Sequence, residues 1–393
     1  MREVNRSLVL DLVKAGGRVS RASIARQTTL AKPTVSAIVD ELIADGLIAE
    51  VGVGVTAGGR PPILLQYNAR SHLVVGVHIG ARRTSVAVAD ATGVELVRGD
   101  LATPTCEPDD ALGLVAERIT DLLTGLRPAV IAPVAAVGVV LPGLTDFHTG
   151  VCLLAPNLGW RDVAIGDGLS ERLGAPVYVH NAGQAAAVAE NLEGVGAGIG
   201  DLALLYAGTG LSAGVLTGGR VFHGTGGTAG EIGHCVLPGN DLPCTCGKVG
   251  CLETVASGRA LVRTVRRAIE DGRPSMLAGR VGIDGRDIAA AAAGGDRVAA
   301  EAVAELGRNL GLAASWLINA YNPAMVVLGG GLAAIGEPLL GPLRAAAAEC
   351  GLGPALRGVE ICRSKLGADA ELRGAVLLAL QHSETYYRIV FRA

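Results

Sequence analysis

The sequence predicts an α/β protein in two unlike parts, a winged helix-turn-helix head over residues 1–70 and a two-lobed body over residues 71–393. Three observations carry that expectation. Three short helical patterns and a glycine-tipped hairpin follow one another in the head. Two apolar hairpins with glycine turns recur about 130 residues apart in the body. One histidine and three cysteines crowd into a single glycine-rich loop of the body.

The first helical pattern places Val4, Leu8, Leu12 and Val13 at three-to-four-residue spacing. Ser20 reads as the cap of a second helix over about 21–27, since a serine hydroxyl accepts from an orphan amide of the first turn. A third helix opens at Lys32-Pro33, where proline is tolerated, and turns Val35, Ile38, Val39, Leu42 and Ile43 inward. Lys32, Thr34, Ser36 and Asp40 face outward. The run LIAEVGVGVTAGGRPPILLQYN then reads as two strands around a glycine tip. In such a layout the third helix enters the major groove of DNA and the wing reaches the backbone or minor groove. Lys32, Thr34, Ser36 and the wing-tip Arg60 are the expected contacts with double-stranded DNA, the guanidinium suiting a narrow, electronegative minor groove.

Charge agrees. Residues 1–70 hold nine Lys/Arg against six acids, a net +3, while the whole chain of 393 residues is −3. A basic head on an acidic body points to a polyanionic partner for the head alone. With 50% hydrophobic and 18% charged residues the chain is globular. MREVNRSLVL lacks a secretory pattern, so the expectation is a cytoplasmic protein. The longest apolar stretch, Ala129–Leu141, contains Pro133, is too short for a bilayer and reads as a buried strand.

In the body, VVGVHIGARRTSVAVAD and LALLYAGTGLSAGVLTGGRVF share one plan, an apolar strand, a glycine turn and a second strand. The repetition suggests a duplicated α/β fold with a cleft between lobes, as in sugar kinases and actin-like ATPases. Glycine turns there expose backbone N–H groups to phosphates. The segment EIGHCVLPGNDLPCTCGKVGCLE offers His234, Cys244, Cys246 and Cys251, a closed Cys3His set typical of structural Zn2+. Cys235 is not expected to join them. Cys106, Cys152, Cys350 and Cys362 read as small buried hydrophobes, and the alanine runs 289–293 and 345–348 as helix interiors. The tail SETYYRIVFRA reads as an extension covering a local apolar patch.

With those residues in view the chain resembles the ROK family of repressors, open reading frames and kinases. The resemblance covers nearly all of it: the GGRP wing, LPGLTD at 141–146, APNLGW at 155–160, the GTG turn at 208–210, AGEIGH at 229–234, the zinc loop, and VVLGGGLA at 326–333. It implies an actin-like ATPase (ribonuclease H-like, sugar-kinase-type) body, with lobe I at about 71–180 plus a C-terminal helix and lobe II at about 181–365. The winged head resembles the transcription-factor branch, with its xylose-type and N-acetylglucosamine-type repressors. A single small head makes few contacts, and paired half-sites one helical turn apart are the usual remedy, so a homodimer or homotetramer on operator DNA is expected. By the same resemblance Asn157, Asn181, Glu231, His234 and Glu253 match sugar-contacting positions, and the effector is a sugar or sugar derivative.

Two departures separate the chain from the family's kinases. Their Asn-Asp pair, whose aspartate takes the proton from the sugar hydroxyl, is Asn181-Ala182 here, and a methyl group accepts no proton. Loss of such a base costs about 10²–10⁴ in rate. Their Asp-x-Gly-x-Thr phosphate loop has His78 in the aspartate position and Arg82 in that of the threonine. The expectation is therefore a sugar-responsive repressor of carbohydrate-metabolism genes without catalysis, the alternatives being a sugar kinase with a DNA-binding head and a regulator controlled by a protein partner without a sugar effector. In the head, Ala31 replaces a usual Ser/Thr cap and Thr29 a usual glycine.

Overall fold

The computed structural model describes residues 2–55, 61–127 and 129–383. The head contains α1 (Arg2–Gly16), β1 (Val19–Ser20), α2 (Arg21–Thr28), α3 (Lys32–Ala44), β2 (Ile48–Val53) and β3 (Ile63–Tyr67). The Ser20 hydroxyl caps α2 by accepting from Ser23 N–H at 3.2 Å. Ala31 precedes α3 with no side-chain cap, leaving its first-turn amides without that partner. Val35, Ile38, Val39 and Leu42 of α3 close a core with Val9, Leu10 and Val13 of α1, Ile24 of α2, and Ile48, Leu65 and Tyr67 of the wing strands. The stripe expected on α1 is corrected. Val4 and Leu8 are exposed, and the inward face is Val9, Leu10 and Val13, because α3 and β3 meet the helix one step around its circumference. The two-residue β1 pairs with β3 and completes a three-stranded sheet in the order β1-β3-β2.

Lobe I follows with β4 (Leu73–Ile79), β5 (Arg83–Asp90), β6 (Glu95–Ala102), α4 (Pro108–Leu126), β7 (Val134–Leu141), the short strands β8 (Leu144–Asp146), β9 (Val151–Ala155) and β10 (Trp160–Ala164), α5 (Ile165–Leu173) and β11 (Val177–Asn181). The apolar stretch expected as one strand is strand only from Val134. Residues 129–133 lie outside it, with Ile131 exposed, and the Pro133 carbonyl accepts from Leu73 N–H at 2.8 Å. Proline without an N–H cannot extend a central strand. Helix α6 (Ala182–Leu192) leads to lobe II: β12 (Leu202–Ala207), β13 (Leu211–Thr217), β14 (Arg220–Val221), α7 (Gly258–Glu270), α8 (Gly285–Ala293), α9 (Arg297–Tyr321), β15 (Met325–Gly329), α10 (Glu337–Cys350), α11 (Gly353–Leu356) and β16 (Glu360–Arg363). Both alanine runs fall inside helices, α8 and α10.

The two lobes repeat one sheet. In lobe I the order is β11-β7-β4-β5-β6 and in lobe II β14-β13-β12-β15-β16. Each centres on an antiparallel hairpin, β4–β5 or β12–β13, whose first strand takes a parallel neighbour on its other side. The last helix, α12 (Ala370–Ser383), packs on β4 and β7, and α6 packs on α12 and on β12 and β13, so this helix pair joins the sheets. The approach is close. A Cβ at Gly138 of β7 would stand 2.2 Å from Ala375 O, and one at Gly374 of α12 2.2 Å from Ala185 O. The head docks on lobe I through Tyr67, whose hydroxyl donates to Ala91 O at 3.4 Å, and Ala91 joins the head core.

The cysteines are corrected in part. Cys152 is buried and Cys362 half-buried, but Cys106 and Cys350 are exposed at a loop and at the end of α10. The tail beyond Ser383 and the wing tip 56–60, Arg60 included, lie outside the described residues. Among those described, no helix is long and apolar enough to cross a membrane.

Candidate ligand cleft and metal centre

Between the lobes lies a cleft of about 1320 Å³, lined from lobe I by the β4–β5 turn and from lobe II by the β12–β13 turn, α7 and the loop after β15. All five residues expected to meet a sugar, Asn157, Asn181, Glu231, His234 and Glu253, line it, and so does Ala182. Each is also held by its surroundings. The Asn181 amide oxygen caps α6, accepting from Gly183 and Gln184 N–H at 2.8 and 3.2 Å, while its NH2 donates to Gly143 O at 2.8 Å. Glu253 accepts from Leu211 N–H at 2.9 Å, and Arg259 donates to the Asn157 amide oxygen. An amide NH2 has two donors and a carboxylate about four acceptor positions, so these bonds orient the groups and leave capacity for a ligand's hydroxyls.

Glu231 immediately precedes the 3-10 turn Ile232–His234. Burial, followed by the charge of Glu253, pushes its carboxyl up to about 7. Its oxygen lies 3.7 Å from His234 Nε2. The other ring nitrogen, Nδ1, faces Cys244 Sγ at 3.7 Å, and Cys246 Sγ lies 3.6 Å from Cys251 Sγ. The ligand atoms of all four residues lie within 4.8 Å of one another. A tetrahedron with metal–sulfur bonds of about 2.3 Å has edges of about 3.8 Å, so one ion fits between these donors. Cys235 is exposed and stands outside the cluster. The loop owes its shape to the hydrogen bond from Cys244 N–H to Lys248 O at 2.8 Å and to Gly250. At φ +83° a side chain there would also collide with Asn240 O, 2.6 Å from its Cβ. One imidazole thus joins the metal cluster on one side to the cleft on the other.

At the far end, Tyr206 of β12 donates to Glu371 of α12, whose second oxygen is buried without a partner. His78 lies beside this pair. Burial lowers its pKa and the Arg83 charge adds to that, with Glu371 opposing. An imidazole kept neutral cannot replace a magnesium-binding carboxylate. The methyl of Ala182, 2% exposed, occupies the position beside Asn181.

In the head, Lys32 and Thr34 are exposed on the first turn of α3 and Ser36 is half-buried one turn on. The acids around them are consumed internally. Arg21 bridges Asp40 and Glu50 at 2.8 Å each, Arg6 reaches Asp45 at 2.5 Å, and Arg2 pairs with Glu41. Arg18, Arg26 and Lys32 make no ion pair among the described residues, so the exposed charge of the head is more basic than its count. Sequence reading missed this pairing. It also missed the face of α7, where Arg259, Arg263, Arg266 and Arg267 recur at helical spacing and line the cleft.

Residues 74–382 match the ROK family. The chain belongs to the ROK family. It is 31% identical over 354 residues to the xylose repressor of Caldicellulosiruptor bescii, covering 88% of this chain and 87% of that protein. Among solved structures it is similar to a ROK family transcriptional regulator, a homologue of the E. coli MLC protein, with a TM-score of 0.85 and 30% identity over 97% of both chains. A ROK family glucokinase from Streptomyces griseus, in complex with glucose and AMPPNP, matches 79% of this chain and 99% of its own at 33% identity and a TM-score of 0.71. The glucokinase match spans about the length of the body, and the regulator match includes the head as well.

Proposed function

We propose that this ROK protein is a sugar-responsive transcriptional repressor that binds operator DNA through its head and performs no phosphoryl transfer. The observation that carries the reading is the pairing of a winged head, four of its six acids paired with arginines, with a cleft lined by polar groups around a methyl at position 182. Lys32, Thr34 and Ser36 of α3, with Arg60 of the wing, contact the duplex. Asn157, Asn181, Glu231, His234 and Glu253 hold the sugar. Zn2+ is the ion for His234, Cys244, Cys246 and Cys251, since three thiolates and an imidazole at tetrahedral spacing are its donor set. Bound there, it fixes the ring so that Nε2 points at the cleft, a structural role.

Sugar binding reaches the head along α12 in this reading. Glu371 and Leu372 line the cleft, and the adjacent Arg373 donates to Gly93 O and pairs with Glu193. Gly93 is two residues from Ala91, which packs in the head core. A shift of α12 on lobe closure therefore moves the head of each subunit in a homodimer or homotetramer. A ligand that fully reverses such an equilibrium must prefer one state by about 10⁴-fold.

The test uses DNA selected by the protein from a random library. Asn157→Ala or Glu231→Ala should leave operator affinity within about twofold and abolish release by sugar, an effect confined to the cleft. Arg373→Ala should keep sugar binding but blunt release. Normal release by both cleft variants would place the effector elsewhere. The likeness to glucokinase supports one alternative, a sugar kinase with a DNA-binding head, and sugar-dependent ADP formation would favour it.

A further inference from the structure

Only residues 68–72 separate the last strand of the head, β3, from the first strand of lobe I, β4. A link that short can still swing, but this one is fastened along its length. Asn68 closes a turn, its carbonyl accepting from Ser71 N–H at 3.0 Å and its side-chain oxygen from Arg70 N–H at 3.1 Å. It also grips the turn that follows α3, its amide NH2 donating to Gly46 O and its backbone N–H to Leu47 O, both at 2.9 Å. On the body side, Ala91 N–H donates to Ala69 O at 2.9 Å.

His72 carries the link on to α12. It is 6% exposed, with Nδ1 at 3.0 Å from Ser71 Oγ and Nε2 at 3.2 Å from Oγ of Ser383, the last residue of α12. Ser383 sets the direction of these bonds. Its single hydroxyl proton goes to Leu380 O at 2.9 Å, so its oxygen accepts from His72 Nε2–H. In the neutral ring Nδ1 then accepts the Ser71 hydroxyl proton. The bonds run one way, from Ser71 through the imidazole to the Leu380 carbonyl. At its other end, about 20 Å along the axis, α12 presents Glu371 and Leu372 to the cleft.

We infer that residues 68–72 form a built joint in which Asn68 and His72 are positioning residues, setting the angle of the head by the position of the last turn of α12. This is a second hold on the head, at the end of α12 opposite Arg373. A freely swinging link would separate the two sites, because a ligand changes DNA binding only through a state that both sites feel. The inference deepens the proposed sugar response and rests on that reading for the ligand that displaces α12, not for the joint itself.

The test follows the full-length protein in two assays, one of which needs no sugar. Trypsin cuts after Arg70, which is exposed within the joint. Where cleavage waits on local opening, its rate tracks the open population. His72→Phe keeps an aromatic ring and removes both nitrogens, and Ser383→Ala removes the acceptor on the half-buried end of α12. Each should speed cleavage at Arg70 at least about tenfold relative to other sites in the chain. His72→Gln, whose amide still donates, should recover part of the protection.

In the second assay, free pentoses, hexoses and amino sugars are titrated against the protein and against its complex with selected operator DNA. Both variants should bind sugar within about twofold of the wild type. The sugar-induced change in operator Kd should fall from at least about tenfold to less than about threefold. The double variant His72→Phe/Ser383→Ala should be no worse than His72→Phe alone, as for two residues acting through one contact. A wild-type operator affinity indifferent to every sugar, with cleavage still accelerated in both variants, would keep the joint and remove the sugar reading. Unchanged cleavage at Arg70 in both variants, or release undiminished while cleavage is accelerated, would overturn the inference.

Discussion

The two hairpin turns that face each other across the cleft occupy equivalent places in duplicated lobes, yet their chemistry has diverged. In lobe II, Gly208-Thr209-Gly210 is closed by one hydrogen bond of 3.0 Å, from Gly208 N–H to Gly210 O. In lobe I, the turn after β4 is closed in the same way, Gly80 N–H to Arg83 O at 3.0 Å, but is flanked by His78 and Arg82. Glycine turns suit any anion. The resemblance to the family's kinases places a carboxylate for a metal ion in the lobe I turn, and His78 stands there instead. At the near end, the Cys3His cluster and the five residues proposed to hold the sugar lie together. That contrast is what the proposed reading of the cleft as a sensor expects.

The comparison breaks most directly at the near end. If the cluster holds zinc as proposed, Cys246→Ser should lose the metal and sugar binding, with a fall in Tm of more than about 10 °C, since a structural zinc supplies several kcal/mol of folding energy. Metal analysis and a melt check it. Sugar binding retained in metal-free protein would sever the cluster from the site.

At the junction of the two ends, Ala182→Asp restores the family's base but not the lobe I carboxylate. No ATP turnover above background is expected. Turnover by this single variant would show that His78 is no obstacle.

His180, just before Asn181, tests the floor beneath. Both its ring nitrogens are buried without partners, among Phe147, His223 and His382. Burial, and then the charges of His382 and His223, pushes its pKa down to about 3. The unfolded state therefore binds the extra proton first. Stability is fully present above the ordinary histidine value near 6.5 and is lost as pH falls toward about 3. His180→Phe should add about 1–3 kcal/mol and flatten the acid limb of a Tm-against-pH curve. An unchanged acid limb would acquit this residue.

The smallest effect lies in the head. Thr29 sits at φ +57° after α2, a left-handed conformation that burdens a branched side chain. Thr29→Gly should raise head stability by about 1 kcal/mol and leave operator affinity unchanged.

What the sequence made legible follows from how local each signal is. The Ser20 cap, the α3 core face, the glycine-hinged hairpins and the Cys3His loop are each set within a few residues, and the structure forms all four elements. The inward face of α1 depended on where α3 and β3 sit, so Val4 and Leu8 misled. Pro133 delays the start of the strand to Val134, so the apolar stretch read as one strand from Ala129 is shorter. Cys106 and Cys350 are apolar enough for a core but lie in segments that reach the surface. Two-residue β1 was too short for any periodicity. The arginine spacing on α7 was readable, but only the opposing wall gives it meaning.

The central claim is that sugar controls DNA binding without being phosphorylated. Fluorescence anisotropy of a selected operator, titrated with sugars and their phosphates in the presence of Mg-ATP while ADP is monitored in the same sample, tests it most directly. One sugar class should release the operator with no ADP formed. Sugar-dependent ADP, or an operator affinity indifferent to every sugar and sugar phosphate, would contradict the account.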